Sequence, residues 1–139
     1  MKKLLLIALT LCPLVATANP YNWKALRAVD GDTIEVEAKW LPVELGTKIK
    51  IRVLGVDTPE KAPRAKCEQE AAKALLASAF TRNFIKSGKV VEVNIKSWDK
   101  YGGRILGDIV VDGKSLKDQL ILRGHARVYN GGTKTSWCN

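Results

Sequence analysis

The sequence is poor in histidine and cysteine. His125 is the only histidine of the 139 residues, and the three cysteines, Cys12, Cys67 and Cys138, lie far apart in the chain. Zinc sites are usually built from clusters of these two residue types. A zinc site is therefore disfavoured, and the aspartates and glutamates of the chain better suit a hard ion such as Ca²⁺ or Mg²⁺.

Long apolar runs, repeats, linkers and low-complexity segments are also absent after residue 18. Without a run of about 20 apolar residues we expect no helix that crosses a bilayer. About 120 residues suffice for one domain with a hydrophobic core and are too few for two. We therefore expect residues 19–139 to form one domain that is not inserted in a membrane.

The first 18 residues have the pattern of a signal peptide. Lys2 and Lys3 precede an apolar run, and Ala16-Thr17-Ala18 supplies the small residues after which a signal peptidase cuts. We expect removal of residues 1–18 and export of the mature protein to the periplasm or the medium.

Two cysteines, Cys67 and Cys138, remain after this cleavage. In an oxidising compartment a disulfide between them is the default expectation, and two unpaired buried thiols are the alternative. The bridge would close a loop of about 70 residues and stabilise the fold by roughly 4 kcal/mol in the chain-entropy model.

Positive charge predominates in the chain. There are 23 Lys and Arg against 14 Asp and Glu, a formal net charge of +9, and loss of Lys2 and Lys3 leaves +7. Such a protein attracts polyanions, although charge alone does not distinguish nucleic acid, anionic lipid and polysaccharide.

Hydrophobic periodicity predicts five strands and two helices. The predicted strands are 23–29, 33–39, 49–56, 90–95 and 104–111, and the predicted helices are 67–86 and 115–123. The apolar face predicted for the first helix consists of Ala72, Leu75, Leu76, Ala79 and Phe80. This order predicts an α+β fold, a five-stranded OB-type barrel with a helix after strand 3 and a short C-terminal helix. An open α+β sandwich is the alternative.

Three polar segments interrupt this pattern, DGD at 30–32, DTPE at 57–60 and YGGR at 101–104. Taken singly, each is typical of a turn, a strand exit or a loop. Together with Arg52 of the third predicted strand, they supply what phosphodiester hydrolysis requires. Asp32 and Asp57 offer oxygen ligands for a hard ion, and Arg52 and Arg104 offer bidentate contacts to phosphate. Strict alternation places Arg52 and Asp57 on opposite faces, so their convergence requires a bend or bulge near residues 56–59.

Three longer segments carry a resemblance to a known family. VDGDTI at 29–34, IRVLGVDTPE at 51–60 and DKYGGR at 99–104 resemble, in order and spacing, the signature motifs of the staphylococcal nuclease (thermonuclease) family, and VVDGK at 110–114 continues the match. The resemblance covers roughly residues 23–125. It implies an OB-fold barrel and Ca²⁺-dependent cleavage of DNA and RNA, without regard to the sugar, that leaves 3′-phosphate ends.

The resemblance also implies a role for each matched residue. By role, these are the calcium ligands Asp32, Asp57 and Thr58, the catalytic residues Arg52, Glu60 and Arg104, and the substrate contacts Lys100 and Tyr101. Thr58 would contribute its backbone carbonyl, and Glu60 would hold the attacking water as the family's usual general base. The two arginines would neutralise the phosphate.

Two features depart from the family pattern. The third motif reads YGGR instead of Tyr-Gly-Arg, and we expect the extra glycine to be absorbed in the loop before Arg104. The tail ends in TSWCN where the type member continues into another helix, and the disulfide is expected to anchor the C-terminus in its place. His125, outside every motif, is expected to be structural, and Trp40, Trp98 and Trp137 are assigned no role.

Two other functions remain open. A non-catalytic OB-fold module would bind nucleic acid without cutting it. This alternative is disfavoured because the acidic and arginine residues of the motifs are all present, namely Asp32, Arg52, Asp57, Glu60 and Arg104. A basic exported protein acting on membranes or acidic polysaccharide would leave the acidic motifs without a purpose. We expect a monomer whose substrates are DNA and RNA.

Overall fold

Five strands of the chain close into a mixed β-barrel. A computed structural model describes residues 20–139, and the predicted signal peptide lies outside this range. The strands are β1 (Tyr21–Ala28), β2 (Thr33–Glu37), β3 (Lys48–Val53), β4 (Val56–Asp57), β5 (Val90–Trp98), β6 (Arg104–Val111), β7 (Lys114–Ser115) and β8 (Arg127–Val128), and the α-helices are α1 (Glu68–Ile85) and α2 (Leu116–Leu122). A short 3₁₀ helix, Val43–Leu45, connects β2 to β3. The barrel order is β3-β2-β1-β5-β6, and parallel pairing of β3 with β6 closes it.

The core of the barrel follows from the alternation of apolar residues along the strands. Buried strand residues include Ala25, Ile34, Val36, Ile49, Ile51, Val53, Val91, Val93, Ile105 and Ile109, and α2 adds Leu116 and Leu120. Alternate residues face opposite sides of a strand, so charged neighbours such as Arg52 face outward. The predicted OB-type barrel is confirmed, and closure through β3 and β6 rules out the open sandwich.

The third strand is shorter than predicted. β3 ends at Val53, the chain turns at Leu54 and Gly55, and the two-residue strand β4 follows and pairs with β8. Gly55 has a φ of 84°, a conformation that side chains other than glycine rarely adopt. A bend between Arg52 and Asp57, which their convergence on one site required, is therefore present. It lies at residues 54–55, slightly earlier in the chain than the predicted position near residues 56–59.

Helix α1 was predicted at the right place but with the wrong buried face. Leu75 and Leu76 are 64% and 62% exposed. The residues that α1 buries are Glu70, Ala74, Ala77, Ser78, Thr81 and Ile85. Ala77 and Thr81 of this face contact the β1–β2 turn at Gly31. Phe80 is partly buried and does pack against the core, as predicted.

The C-terminal tail is attached to the start of α1. Cys67 and Cys138 form the predicted disulfide, with their Cα atoms 5.9 Å apart. Cys67 is also the N-cap of α1, and its Sγ accepts a hydrogen bond from the backbone N–H of Glu70. Among the helices of residues 20–139, none is both long and apolar enough to cross a membrane.

Candidate functional site

The β1–β2 turn holds Asp32 against helix α1. A Cβ atom on Gly31 would lie 2.8 Å from the Cβ of Ala77, closer than side-chain atoms approach. The hydroxyl of Thr81 donates a 2.6 Å hydrogen bond to the carbonyl of Gly31. Glycine thus allows α1 to pack directly on the turn, and this contact fixes the position of Asp32.

The carboxylate of Asp32 is buried beside a guanidinium. Asp32 is 5% exposed. Its Oδ1 accepts a 2.9 Å hydrogen bond from the hydroxyl of Thr33, and its Oδ2 lies 3.3 Å from Nη2 of Arg52. Burial raises the pKa of Asp32 to about 7, Arg52 opposes this rise, and the nearby Asp30 adds to it. A cation in contact with Asp32 would stabilise its charged form.

Two arginines meet beside this carboxylate. Arg52 is paired with Leu106 across the β3–β6 closure, and Arg104 is paired with Lys50. Arg104 is thus the diagonal neighbour of Arg52 on the outer face. Both line a cleft of about 240 Å³ together with Asp30, Asp32, Thr58 and Glu60.

Asp99 orients the second arginine. Its Oδ2 accepts a hydrogen bond from Nε of Arg104, and its Oδ1 accepts a 3.0 Å hydrogen bond from the backbone N–H of Tyr101. The Tyr101 N–H and the Arg104 guanidinium hold the pKa of Asp99 below its ordinary value. Asp99 therefore remains charged and leaves the Nη groups of Arg104 available for an anion.

The loop that carries Glu60 is fixed by a buried glutamate. Oε1 of Glu70 accepts a 3.2 Å hydrogen bond from the backbone N–H of Glu60, and its Oε2 accepts one of 2.7 Å from the N–H of Lys66. Glu70 is 4% exposed, so these bonds are shielded from water. The carboxylate of Glu60 forms an ion pair with Arg64, 3.0 Å from Oε2 to Nε.

Asp57 faces an adjoining cleft of about 280 Å³, where the C-terminal tail contacts both of its oxygens. The indole N–H of Trp137 donates a 2.9 Å hydrogen bond to Oδ2. The ammonium of Lys134 lies 2.6 Å from Oδ1, and it lies 3.8 Å from Oε1 of Glu60. Burial lowers the pKa of Lys134, but its contact with Asp57 and the charges of Asp57 and Glu60 outweigh burial and raise it above its ordinary value.

The two clefts share residues and meet around Thr58. Asp32 lines the first and Asp57 the second, and both include Thr58, Glu60 and Arg64. Within residues 20–139, no three histidine, cysteine, aspartate or glutamate side chains are grouped closely enough to hold an ion. The predicted ligand set needs two carboxylates and one backbone carbonyl instead.

The chemistry of these donors fits a hard cation. Oδ1 of Asp30 and Oδ1 of Asp57 are buried, and neither has a hydrogen-bond partner of normal geometry among the described residues. Buried polar oxygens usually have a partner, and an ion is one that satisfies them. Oδ1 of Asp57 already attracts a cation, the ammonium of Lys134.

A larger groove extends from the two arginines. Its volume is about 830 Å³, and Lys100, Tyr101, Trp98 and Tyr129 line it along with Arg52 and Arg104. Tyr101 is 80% exposed. Gly102 and Gly103 both have positive φ, and β6 begins at Arg104, so the extra glycine is absorbed in the preceding loop as predicted.

Sequence reasoning named the motif residues that line these clefts, and it did not anticipate the groups that contact them. It assigned no site role to Asp30, Glu70, Lys134 or Trp137. A signal for the last two was present, because the predicted disulfide ties Cys138 to Cys67, seven positions after Glu60. A tail anchored there has to pass the DTPE segment.

Comparison with known proteins identifies relatives of this chain. Residues 50–136 match a protein-family model described as staphylococcal nuclease homologue. Endonuclease YncB of Bacillus subtilis is 39% identical over 113 residues, which cover 78% of this chain and 49% of that protein. The SPbeta prophage-derived endonuclease YokF of the same species is 38% identical over 113 residues, 78% of this chain and 35% of that protein. The thermonuclease of Staphylococcus hyicus is 32% identical over 114 residues, 81% of this chain and 62% of that protein. The match therefore spans between 35% and 62% of the length of these relatives.

Proposed function

Because the chain belongs to the staphylococcal nuclease family, we propose that it hydrolyses phosphodiester bonds of DNA and RNA, with Ca²⁺ as cofactor and 3′-phosphate ends as products. The observation that carries this proposal is the cleft in which Arg52 and Arg104 lie beside the buried Asp32 and the carboxylate of Glu60. A cleft that combines phosphate-binding arginines with a buried carboxylate whose pKa is raised is typical of a functional site.

The arginines bind the phosphate in this proposal. Arg52 projects from the barrel wall and is steadied by Asp32, and Arg104 is steadied by Asp99. Each guanidinium can donate two parallel hydrogen bonds to phosphate oxygens. Charge that develops on those oxygens during attack is stabilised by donors that are already in position.

Glu60 accepts the proton of the attacking water. Its backbone N–H is held by Glu70, and Glu60 lines both clefts, so its carboxylate is within the space that a phosphate bound by the arginines and its attacking water would share. As the water oxygen bonds to phosphorus, its proton passes to Glu60, the bond from phosphorus to the 5′ oxygen breaks, and the departing 5′ oxygen takes up a proton from solvent. The phosphate then remains on the 3′ oxygen.

Asp32, Asp57 and the backbone carbonyl of Thr58 would hold the calcium ion, which when bound supplies positive charge to the phosphate oxygens. Lys100 and Tyr101 lie in the larger groove next to Arg104 and would contact a neighbouring nucleotide. The net positive charge of the mature protein, +7 after loss of Lys2 and Lys3, attracts polyanions.

Export belongs to the same proposal. Disulfides persist outside the cytoplasm, so the Cys67–Cys138 disulfide is an argument that the protein folds in an oxidising compartment. Calcium is also abundant enough there for a site with few protein ligands.

The test measures release of acid-soluble nucleotides from single-stranded DNA and from RNA, with Ca²⁺ or with a chelator. We expect release from both substrates when Ca²⁺ is present and no release in chelator. The products should resist polymerase extension until a phosphatase removes the 3′-phosphate. Undiminished release in chelator would contradict the calcium requirement. Tight binding of DNA without any release would identify a binding module instead.

A further inference from the structure

The tail of the chain, residues 129–139, is held against the site from several sides. The disulfide fixes Cys138 to Cys67. The ammonium of Lys73, on α1, donates hydrogen bonds of 2.8 Å and 3.1 Å to the carbonyl oxygens of Trp137 and Asn139. The guanidinium of Arg127 lies 3.9 Å from the centre of the Trp137 ring. The indole of Trp137 is therefore a fixed part of the second cleft.

The side chain of Lys134, also in this tail, is held much less firmly than the indole of Trp137. Its side chain is 38% exposed, and its contacts in the cleft are with the carboxylates of Asp57 and Glu60. A lysine ammonium sits on a flexible stem of four carbons. Lys134 also lines the larger groove beside Arg52, so the same side chain has space on both sides.

The ammonium of Lys134 and a divalent ion require the same oxygen. Oδ2 of Asp57 is engaged by Trp137, which leaves Oδ1, and Oδ1 lies 2.6 Å from Nζ of Lys134. Two cations at this distance from one carboxylate oxygen would repel each other strongly in a partly buried site. Binding of the ion therefore requires the ammonium to leave.

We propose that Lys134 is an internal competitor for the metal ion, which neutralises Asp57 in the metal-free protein and moves away into the groove when Ca²⁺ binds. The inference rests on the proposed function, because it presupposes that Asp57 is a calcium ligand. Lys134 sets the calcium concentration at which the site fills, and it keeps a buried carboxylate paired when calcium is scarce.

The experiment compares calcium affinity in four forms of the full, disulfide-bonded protein. These are the wild type, Lys134→Met, Lys66→Met and Asp57→Asn. Tb³⁺ luminescence excited through tryptophan reports occupancy, since Trp137 contacts Asp57, and added Ca²⁺ displaces the Tb³⁺. Lys66 is the matched control because it is exposed and lines the same cleft, yet it forms no ion pair with any described residue.

Lys134→Met should bind Ca²⁺ about tenfold more tightly than the wild type, as expected when a charge-assisted contact no longer competes. Lys66→Met should remain within about twofold of the wild type, since Lys66 is exposed, its charge is screened by salt, and it forms no ion pair with the carboxylates of the cleft. Unchanged or weaker binding by Lys134→Met, with binding lost in Asp57→Asn, would overturn the inference and leave the proposed function intact. Absence of Ca²⁺ binding by the wild type and by Lys134→Met would overturn the proposed function and the inference with it.

Discussion

The indole nitrogen of Trp137 donates a 2.9 Å hydrogen bond to Oδ2 of Asp57, which precedes it by 80 positions in the chain. Both residues are buried. The bond fixes the rotation of the carboxylate, so that Oδ1 is the oxygen directed at the ammonium of Lys134. A residue of the tail thus orients a motif residue of the site.

Trp137→Phe should reduce both stability and calcium affinity. The substitution keeps an aromatic ring for Arg127 to cover but leaves a buried carboxylate oxygen without its donor, at a cost of about 1–3 kcal/mol. Urea unfolding measures the first effect and Tb³⁺ displacement the second. Trp40→Phe, at an exposed position stacked on Trp23, is the control and should change neither property.

Arg52→Lys should lower cleavage by about a hundredfold or more, because a point charge cannot donate the paired hydrogen bonds of a guanidinium. Initial rates on single-stranded DNA at saturating Ca²⁺ provide the measurement. Arg82→Lys, at an exposed position in the last turn of α1, is the matched control. Equal rates for the wild type and Arg52→Lys would remove Arg52 from phosphate binding.

Glu60→Gln should lose most of its cleavage activity and still bind DNA. A positioned general base contributes about 10²–10⁴-fold to the rate, and glutamine accepts no proton from water. Fluorescence anisotropy of a labelled oligonucleotide separates binding from turnover. Unchanged turnover would exclude Glu60 as the base.

Asp32→Asn should remove a pH dependence from the stability of the metal-free protein. The pKa of Asp32 is about 7 in the folded state and 3.8 as its ordinary value, so the folded state binds the proton more tightly. The corresponding stability is fully present below about pH 4 and is lost as the pH rises through about 7. Between about pH 5 and 8 the wild type should lose about 2–3 kcal/mol relative to Asp32→Asn in chelator. If the free energy of unfolding in urea had the same pH dependence in the two proteins, Asp32 would not bind a proton more tightly in the folded state.

Cys138→Ser should destabilise the protein by roughly 4 kcal/mol, the chain-entropy value for a loop of about 70 residues. Reduction of the wild type should have a similar effect, and a reductant should leave Cys138→Ser unchanged. The free energy of unfolding in urea, with and without reductant, checks both expectations. A reduced protein as stable as the oxidised one would show that the noncovalent contacts of the tail are sufficient to hold it.

The barrel and the motif residues could be predicted because their signals are local. Alternation of apolar residues fixes which side of β2 or β3 is buried, and glycine and acidic residues mark the turns. The buried face of α1 could not be predicted from periodicity, since Leu75 and Leu76 look like core residues until the close contact between Gly31 and Ala77 is known.

The residues that hold the site were missed for a different reason. Glu70 hydrogen-bonds a loop that precedes it by ten positions, and Lys134 reaches a carboxylate 77 positions earlier. Such pairings depend on tertiary structure and leave no periodic trace in a single sequence. The disulfide was the one long-range contact that the sequence predicted. Because it anchors the tail beside the DTPE segment, it brings Lys134 and Trp137 into contact with Asp57.

Parallel pairing of β3 with β6 has a consequence beyond the architecture. Arg52 and Arg104 stand on the two sides of the seam where the sheet meets itself. Fraying of that seam would draw the guanidiniums apart while most of the secondary structure survives. We therefore expect mild destabilisation to abolish nuclease activity before it disrupts the secondary structure of the barrel.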